Sequence, residues 1–186
     1  MSNIMHPLFI YFPLPLYPQW FSNIAIHKSI QMKSLDALLQ ELESKLPLMQ
    51  KQNPAVSEAS VGWHIEHSIL AAIKMINAVA HSEPDKYRWR FNWRRSMVFT
   101  TGRIPRGKAK APKAVVPTST ADAATLTAQF ATLRDKLYHM AMLKPNHFFE
   151  HPFFGALHVK HTLRAIQLHT DHHLKIINDI IASVKL

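Results

Sequence analysis

The sequence predicts an all-α fold, an up-and-down four-helix bundle with an additional basic helix and a Pro/Gly-rich basic loop. Apolar residues recur at helical spacing in long Pro-free segments, and the chain of 186 residues contains only four glycines. With 47% hydrophobic and 18% charged residues, the composition is that of a globular protein. This length is most simply one domain, and it is large enough to bury a core.

Residues 1–31 differ from the rest of the chain. Up to Trp20 they carry no Lys, Arg, Asp or Glu, and four prolines interrupt their apolar side chains. They lack the basic start and continuous apolar run of a signal peptide, and the prolines exclude a spanning helix. We therefore predict a poorly ordered extension, with a docked apolar arm as the alternative, followed by a bundle domain over 32–186. We expect a cytoplasmic protein with no membrane partner.

The first two helices are predicted from capping and periodicity. Ser34 is a good N-cap, and leucines follow it at helical spacing over 34–47. The helix over 61–81 is apolar almost all round, which predicts a central position in the bundle.

The remaining elements follow from the same signals. A basic, aromatic helix is predicted over 85–101, because Pro84 suits a first helical turn. Five Gly and Pro residues make 102–118 a loop, and Thr120 is expected to cap a helix over 120–143. Residues 146–155 are interpreted as a short aromatic connector, and the last helix is predicted over 157–184.

The net charge of +10 comes from one segment, residues 86–113. Outside that segment 12 basic residues balance 12 acidic ones, and inside it no acid occurs. Its ten basic residues are Lys86, Arg88, Arg90, Arg94, Arg95, Arg103, Arg106, Lys108, Lys110 and Lys113. Cations alternate with aromatic residues over 88–95, a pattern that suits nucleic acid but equally suits a helix that packs its aromatics while its arginines reach water. The loop over 103–112 suits an anionic small molecule or solvent.

Two histidines of the last predicted helix share a face. His169 and His173 are one turn apart, on the face that also carries Ile166, Ile177 and Ile180. Both rings are therefore expected to point into the surface that buries the helix. A bound metal would explain this placement. Core histidines with hydrogen-bond partners, or histidines at the rim, are the alternatives, because an isolated H-x-x-x-H is a weak motif.

A catalytic metal site of the zinc type uses three protein ligands and leaves one position open. The helix over 61–81 offers His67 as the third ligand, and His64, at the start of that helix, is the weaker candidate. His172 is rotated by about 100° from His173 and is expected to point elsewhere. Because the chain contains no Cys, thiolate metal sites, disulfides and a cysteine nucleophile are excluded.

Four segments together resemble the DinB-like (DinB/YfiT) metalloprotein superfamily, in a branch whose members have no assigned activity. They are S-V-G-W-H-I-E-H at 60–67, R-I-P-R-G-K-A-K-A-P at 103–112, H-P-F-F-G at 151–155 and H-T-D-H-H at 169–173. The resemblance covers about 32–185. It implies a four-helix bundle, often dimeric, in which three histidines bind a divalent metal, and by position these are His67, His169 and His173.

Two classes of function follow. The resemblance implies a divalent-metal-dependent enzyme, with zinc, nickel or iron, that acts as a thiol-dependent transferase or a hydrolase. Its substrate would be a small anionic molecule or a low-molecular-weight thiol, bound beside the metal by Arg103, Arg106, Lys108 and Lys110 in a homodimer. The alternative is a non-catalytic binding protein whose basic segment, 86–113, contacts nucleic acid or an acidic partner. Nucleic acid is the less favoured partner at this point.

Overall fold

A computed structural model describes residues 34–107, 111–117 and 121–182. This part of the chain is mostly helical, as predicted, and it also contains one two-stranded antiparallel sheet. The predicted N-terminal extension, residues 1–31, lies outside the described residues. So do Lys108, Lys110 and Thr120.

The described chain has five α-helices and a β-hairpin. Helix α1 covers 34–43 and α2 covers Val61–Ala80. Helix α3 covers Trp93–Thr101, and α4 covers Ala123–Ala141. Strands β1 (Phe148–His151) and β2 (Gly155–His158) then precede α5 (Val159–Ala182). Short 3-10 turns lie at Leu46–Leu48, Pro84–Lys86 and Lys113–Val115.

Helix α2 lies at the centre, as its all-round apolar sequence predicts, and it packs against both α4 and α5. Its first turn is held firmly. The Ser60 hydroxyl accepts from the backbone N–H of Trp63 at 3.2 Å, and the N–H of Gly62 donates to the carbonyl of Met49 at 2.8 Å. These bonds satisfy donors that a helix start leaves unpaired. A Cβ at position 62 would lie 3.1 Å from the Met49 carbonyl oxygen, so this close approach favours glycine.

One apolar core joins α1, α2, α4 and α5. Its largest fully buried side chains include Phe130 of α4 and Leu163 of α5. Helix α1 contributes Leu35, Leu39 and Leu42, each at most 1% exposed. These three are spaced by four and three residues, which confirms the amphipathic stripe predicted for this helix.

The end of α1 and the start of α4 differ from the prediction. Helix α1 ends at 43 instead of 47, and the chain continues as a 3-10 turn that contains Pro47. A proline inside an α-helix would lose a backbone hydrogen bond and clash with the preceding turn. Helix α4 begins at Ala123 instead of 120, because Asp122 caps it by accepting from the N–H of Thr125 at 2.7 Å.

The predicted basic helix over 85–101 is wrong in its first half. Only Trp93–Thr101 is helical, and residues 87–92 have no regular structure. Asn92 is not inside a helix but caps α3, since its side chain accepts from the N–H of Arg95 at 2.9 Å. Asparagine favours caps, and the neighbouring aromatic residues are modest helix formers.

The interpretation of 146–155 as a connector is also incomplete. Strands β1 and β2 pair in register, with Phe148 opposite His158 and His151 opposite Gly155. Aromatic residues favour strands, and Gly155 has a φ of +66°, a left-handed conformation that glycine adopts easily. The hairpin takes Leu157 and His158 from the predicted last helix, so α5 starts at Val159.

Among the described residues, no helix is both long enough and apolar enough to cross a membrane.

The core predicts a clear difference between two aromatic positions on α4. Replacing the fully buried Phe130 with Ala should lower the free energy of unfolding by about 3–5 kcal/mol, because it leaves a cavity. Replacing the exposed Tyr138 of the same helix with Ala should change it by less than about 0.5 kcal/mol. Urea unfolding followed by circular dichroism measures both. Equal losses for the two variants would contradict the packing described here.

Candidate metal centre

Three histidines meet where α2 faces α5. His67 comes from α2, and His169 and His173 come from α5, and one ligand atom of each lies within 4.8 Å of the other two. Their ring centres are 4.6–5.1 Å apart. Nitrogens bound to a tetrahedral zinc lie about 3.4 Å from one another, with bonds of about 2.0–2.1 Å. The 4.8 Å within which the three ligand atoms lie is about 1.4 Å more than this spacing, and imidazole nitrogens are usual zinc ligands, so the residues present fit a metal ion.

Burial keeps this group uncharged. Burial, followed by the charges of His67, His172 and His151, lowers the pKa of His169 to about 3. The pKa of His173 is also lowered, first by burial and then by the neighbouring histidines. Burial lowers the pKa of His67, against the opposing effect of a hydrogen bond to Val115. A neutral imidazole is the form that binds metal, so the site needs no deprotonation at neutral pH.

A backbone carbonyl selects the tautomer of His67. The Nδ1 of His67 lies 2.8 Å from the carbonyl oxygen of Val115 in the Lys113–Val115 turn. Because a carbonyl only accepts, Nδ1 carries the proton and donates, and Nε2 keeps a free lone pair. Metal-binding histidines commonly donate their other ring N–H in this way, which orients the ring and raises its basicity. The Pro-rich loop therefore positions a candidate ligand, a role that the sequence did not reveal.

His64 lies behind His173 and is not a member of the three-histidine group. Its Nδ1 is 3.0 Å from the Nδ1 of His173, and its Nε2 is 3.0 Å from the hydroxyl oxygen of Ser57. One tautomer pair leaves the Nε2 of His173 free to bind a metal. In that pair His173 Nδ1–H donates to His64, and His64 Nε2–H donates to Ser57. His64, predicted only as a weaker ligand, thus has the geometry to orient a ligand.

His172 is not a member of the three-histidine group, although its ring centre lies 5.2 Å from that of His173. Its ring hydrogen-bonds to the backbone of Ile104, which raises its pKa, but burial and the charge of Arg106 outweigh this and lower it. The contact holds the start of the basic loop against α5.

Of the four predicted substrate-binding cations, the structure describes Arg103 and Arg106. Arg106 forms an ion pair with Asp179 of α5 at 2.8 Å, and its charge lowers the pKa of His64 and His172. It is therefore within electrostatic reach of the centre, although Asp179 offsets part of its charge. Arg103 is exposed at the start of the loop. Because Lys108 and Lys110 lie outside the described residues, the substrate-binding role of this loop stays a prediction.

His151 at the end of β1 is a further candidate that sequence reasoning did not single out by itself. Its Nδ1 accepts from the N–H groups of Phe153 and Phe154 at 3.1 and 3.3 Å, so the proton is on Nε2. Its charge contributes to the lowered pKa of His169, so it is within electrostatic reach of the centre. The only signal was the H-P-F-F-G segment, since a lone histidine in a loop carries no periodicity.

A scan against protein-family models, a search of curated proteins and a search of solved structures each found no match to this chain.

The contact between His64 and His173 predicts a graded effect on metal affinity. His64→Ala removes the acceptor for His173 Nδ1–H and should weaken zinc binding about 10–100-fold. His64→Asn places an oxygen acceptor close to the lost Nδ1 and should retain most of the affinity. Competition with a chromogenic zinc chelator measures both, with circular dichroism as the folding control. Unchanged affinity in His64→Ala would show that this contact does not orient a ligand.

Half-buried histidines outside the three-histidine group predict acid sensitivity. Burial lowers the pKa of His151 to about 4, and burial, with the charges of His158, Arg95 and Lys160, lowers that of His161 to about 4. Below the ordinary value of about 6.5, the unfolded chain takes up protons that the folded chain does not, until about pH 4. The free energy of unfolding should therefore be highest above this window and fall as the pH decreases through it.

Urea unfolding of chelator-treated protein at several pH values between about 7 and 4.5 measures this dependence. His161→Gln removes one of the titrating groups and should flatten the slope. A wild-type stability that stays constant across the window would contradict the burial of these rings.

Proposed function

We propose that this chain is a divalent-metal-dependent enzyme that holds zinc, nickel or iron on His67, His169 and His173 in a DinB-like four-helix bundle. The observation that carries the proposal is the convergence of three histidine ligand atoms within 4.8 Å, from two different helices. The hydrogen bond from His67 to Val115 is compatible with it, because it places the proton on Nδ1 and leaves the Nε2 lone pair free to bind a metal.

Three neutral imidazoles favour a catalytic site over a structural one. Structural zinc sites are usually closed by four protein ligands, and this group offers three. A metal held only by neutral ligands keeps its full charge, so it can polarise a substrate or lower the pKa of a bound water or thiol. The chain itself would orient the ligands through Val115 and His64.

The substrate class follows from the surroundings. Of the three histidines, His169 alone keeps partial solvent exposure, so we propose that a small molecule reaches the group from its side. Arg106 lies on the α5 side, and the part of its positive charge that Asp179 does not offset favours an anionic substrate. We propose thiol-dependent transfer or hydrolysis of a small anionic molecule by a cytoplasmic homodimer.

Metal content tests the centre directly. In protein purified without an affinity tag, we expect about one transition-metal ion per chain, since the group can complete one site. His67→Ala, His169→Ala and His173→Ala should each reduce this content sharply, and His172→Ala should leave it unchanged. Elemental analysis by mass spectrometry gives the measurement. Metal retained in all three variants, or lost equally in His172→Ala, would remove the basis of the proposal.

An open coordination position is testable with cobalt. Adding a small thiol to the Co²⁺-loaded protein should produce a thiolate-to-cobalt absorption band in the near ultraviolet, because the chain has no Cys of its own. The band should be absent in His169→Ala. A Co²⁺ spectrum that does not respond to thiol would indicate that thiol is not a ligand and would exclude the thiol-dependent reaction.

A further inference from the structure

Three large aromatic side chains of the basic region are on the surface. Trp89 is 63% exposed, Phe91 70% and Trp93 59%. The sequence allowed these rings to pack inside while neighbouring arginines reached water, and the structure shows that this interpretation is wrong. Exposed aromatic residues grouped in this way commonly mark a binding surface. We call residues 88–94 the Arg/aromatic segment.

The Arg/aromatic segment is anchored although it has no regular structure. The buried Arg95 donates to the carbonyl oxygens of Arg90 at 2.6 Å and Ala156 at 3.0 Å. The side-chain amide of Asn92 donates to the carbonyl of Phe153 at 3.2 Å. The backbone of the segment is thereby tied to the hairpin. A surface already held in place loses less conformational entropy when it binds a partner.

The charge of the segment defines the partner as anionic. Arg88, Arg90 and Arg94 have no carboxylate partner among residues 34–107, 111–117 and 121–182, whereas Lys86 pairs with Glu83. The guanidinium carbon of Arg94 lies 5.6 Å from the centre of the Trp93 ring. Cations and flat rings are therefore presented side by side on one short stretch of chain.

We propose that the Arg/aromatic segment binds single-stranded nucleic acid. Bases would stack on Trp89, Phe91 and Trp93, and phosphates would meet the guanidinium groups of the neighbouring Arg88, Arg90 and Arg94. Single strands present both free base faces and regular negative charge, which is what such a combination recognises. A duplex hides the faces of its bases, and a small anion leaves the rings unused.

A second copy of the chain fits this surface less well. A two-fold interface brings the same patch of each copy together, so the arginines of one copy would face those of the other. Like charges opposed in this way cost energy and disfavour the pairing.

Fluorescence anisotropy with labelled single-stranded oligo-dT and with a duplex, on the full chain, tests the proposal. We expect tighter binding of the single strand than of the duplex. The logarithm of the binding constant should fall with the logarithm of salt concentration with a slope of about −2 for three phosphate contacts. Trp89→Ala and Phe91→Ala should each weaken single-strand binding by about fivefold or more, because stacking on one ring is lost.

Two controls keep the outcome interpretable. Tyr138→Ala removes an equally exposed ring from α4 and should not change binding. Arg90→Ala should make the salt slope less negative by about 0.7, and it leaves in place the backbone carbonyl that Arg95 holds. None of these residues belongs to the three-histidine group, so metal content should stay constant whether or not nucleic acid binds.

Three results would overturn the proposal. The first is equal affinity for duplex and single strand, together with an unchanged affinity in Trp89→Ala. This result would indicate a nonspecific electrostatic interaction. The second is binding to phosphatidylserine vesicles with a blue shift of tryptophan fluorescence and no binding of oligo-dT, which would assign the surface to membranes. The third is a dimer that Trp89→Ala dissociates, measured by light scattering, which would assign it to self-association.

Discussion

The structure depends on how α2 and α5 enclose imidazole rings between them. His67 and His173 are almost fully buried, with 5% and 6% of their surface exposed. Each buried polar group left without a partner costs about 1–3 kcal/mol. The Nδ1 atoms of both rings have hydrogen-bond partners. That of His67 is the carbonyl oxygen of Val115, and that of His173 is the Nδ1 of His64. The other ring nitrogen of each is then left for the site shared with His169, and one bound metal ion would give all three histidines a ligand bond.

The segments without helical periodicity therefore have specific tasks. Hydrogen bonds from the start of α2 to Met49 and Ser60 fix where this helix begins. They therefore fix the position of His64 and His67 along the helix axis. The short turn that ends at Val115 fixes the ring of His67. Ser57 closes the chain of hydrogen bonds that begins at His173. The helices bring the rings together, and the loops orient them.

The β-hairpin connects the proposed centre with the proposed binding surface. At one end the charge of His151 reaches His169 and lowers its pKa, and at the turn the carbonyl of Phe153 accepts from the side chain of Asn92 in the Arg/aromatic segment. The buried Arg95 bonds three backbone carbonyls and so ties α3 to the same hairpin. The two proposals rest on different residues, but one small element supports the geometry of both.

The sequence by itself determined the helices, the core stripe of α1 and the pairing of His169 with His173 on one face, because these follow from local periodicity. It also indicated His67, through its position on the most apolar helix. It did not determine the hairpin, the true start of α3, or the roles of His64 and Val115. Only the tertiary structure decided these, since each depends on contacts between residues far apart in the chain, such as the 109 positions that separate His64 from His173. Exposure of the aromatic rings was decided in the same way: periodicity shows which residues share a face, and packing determines whether that face is covered.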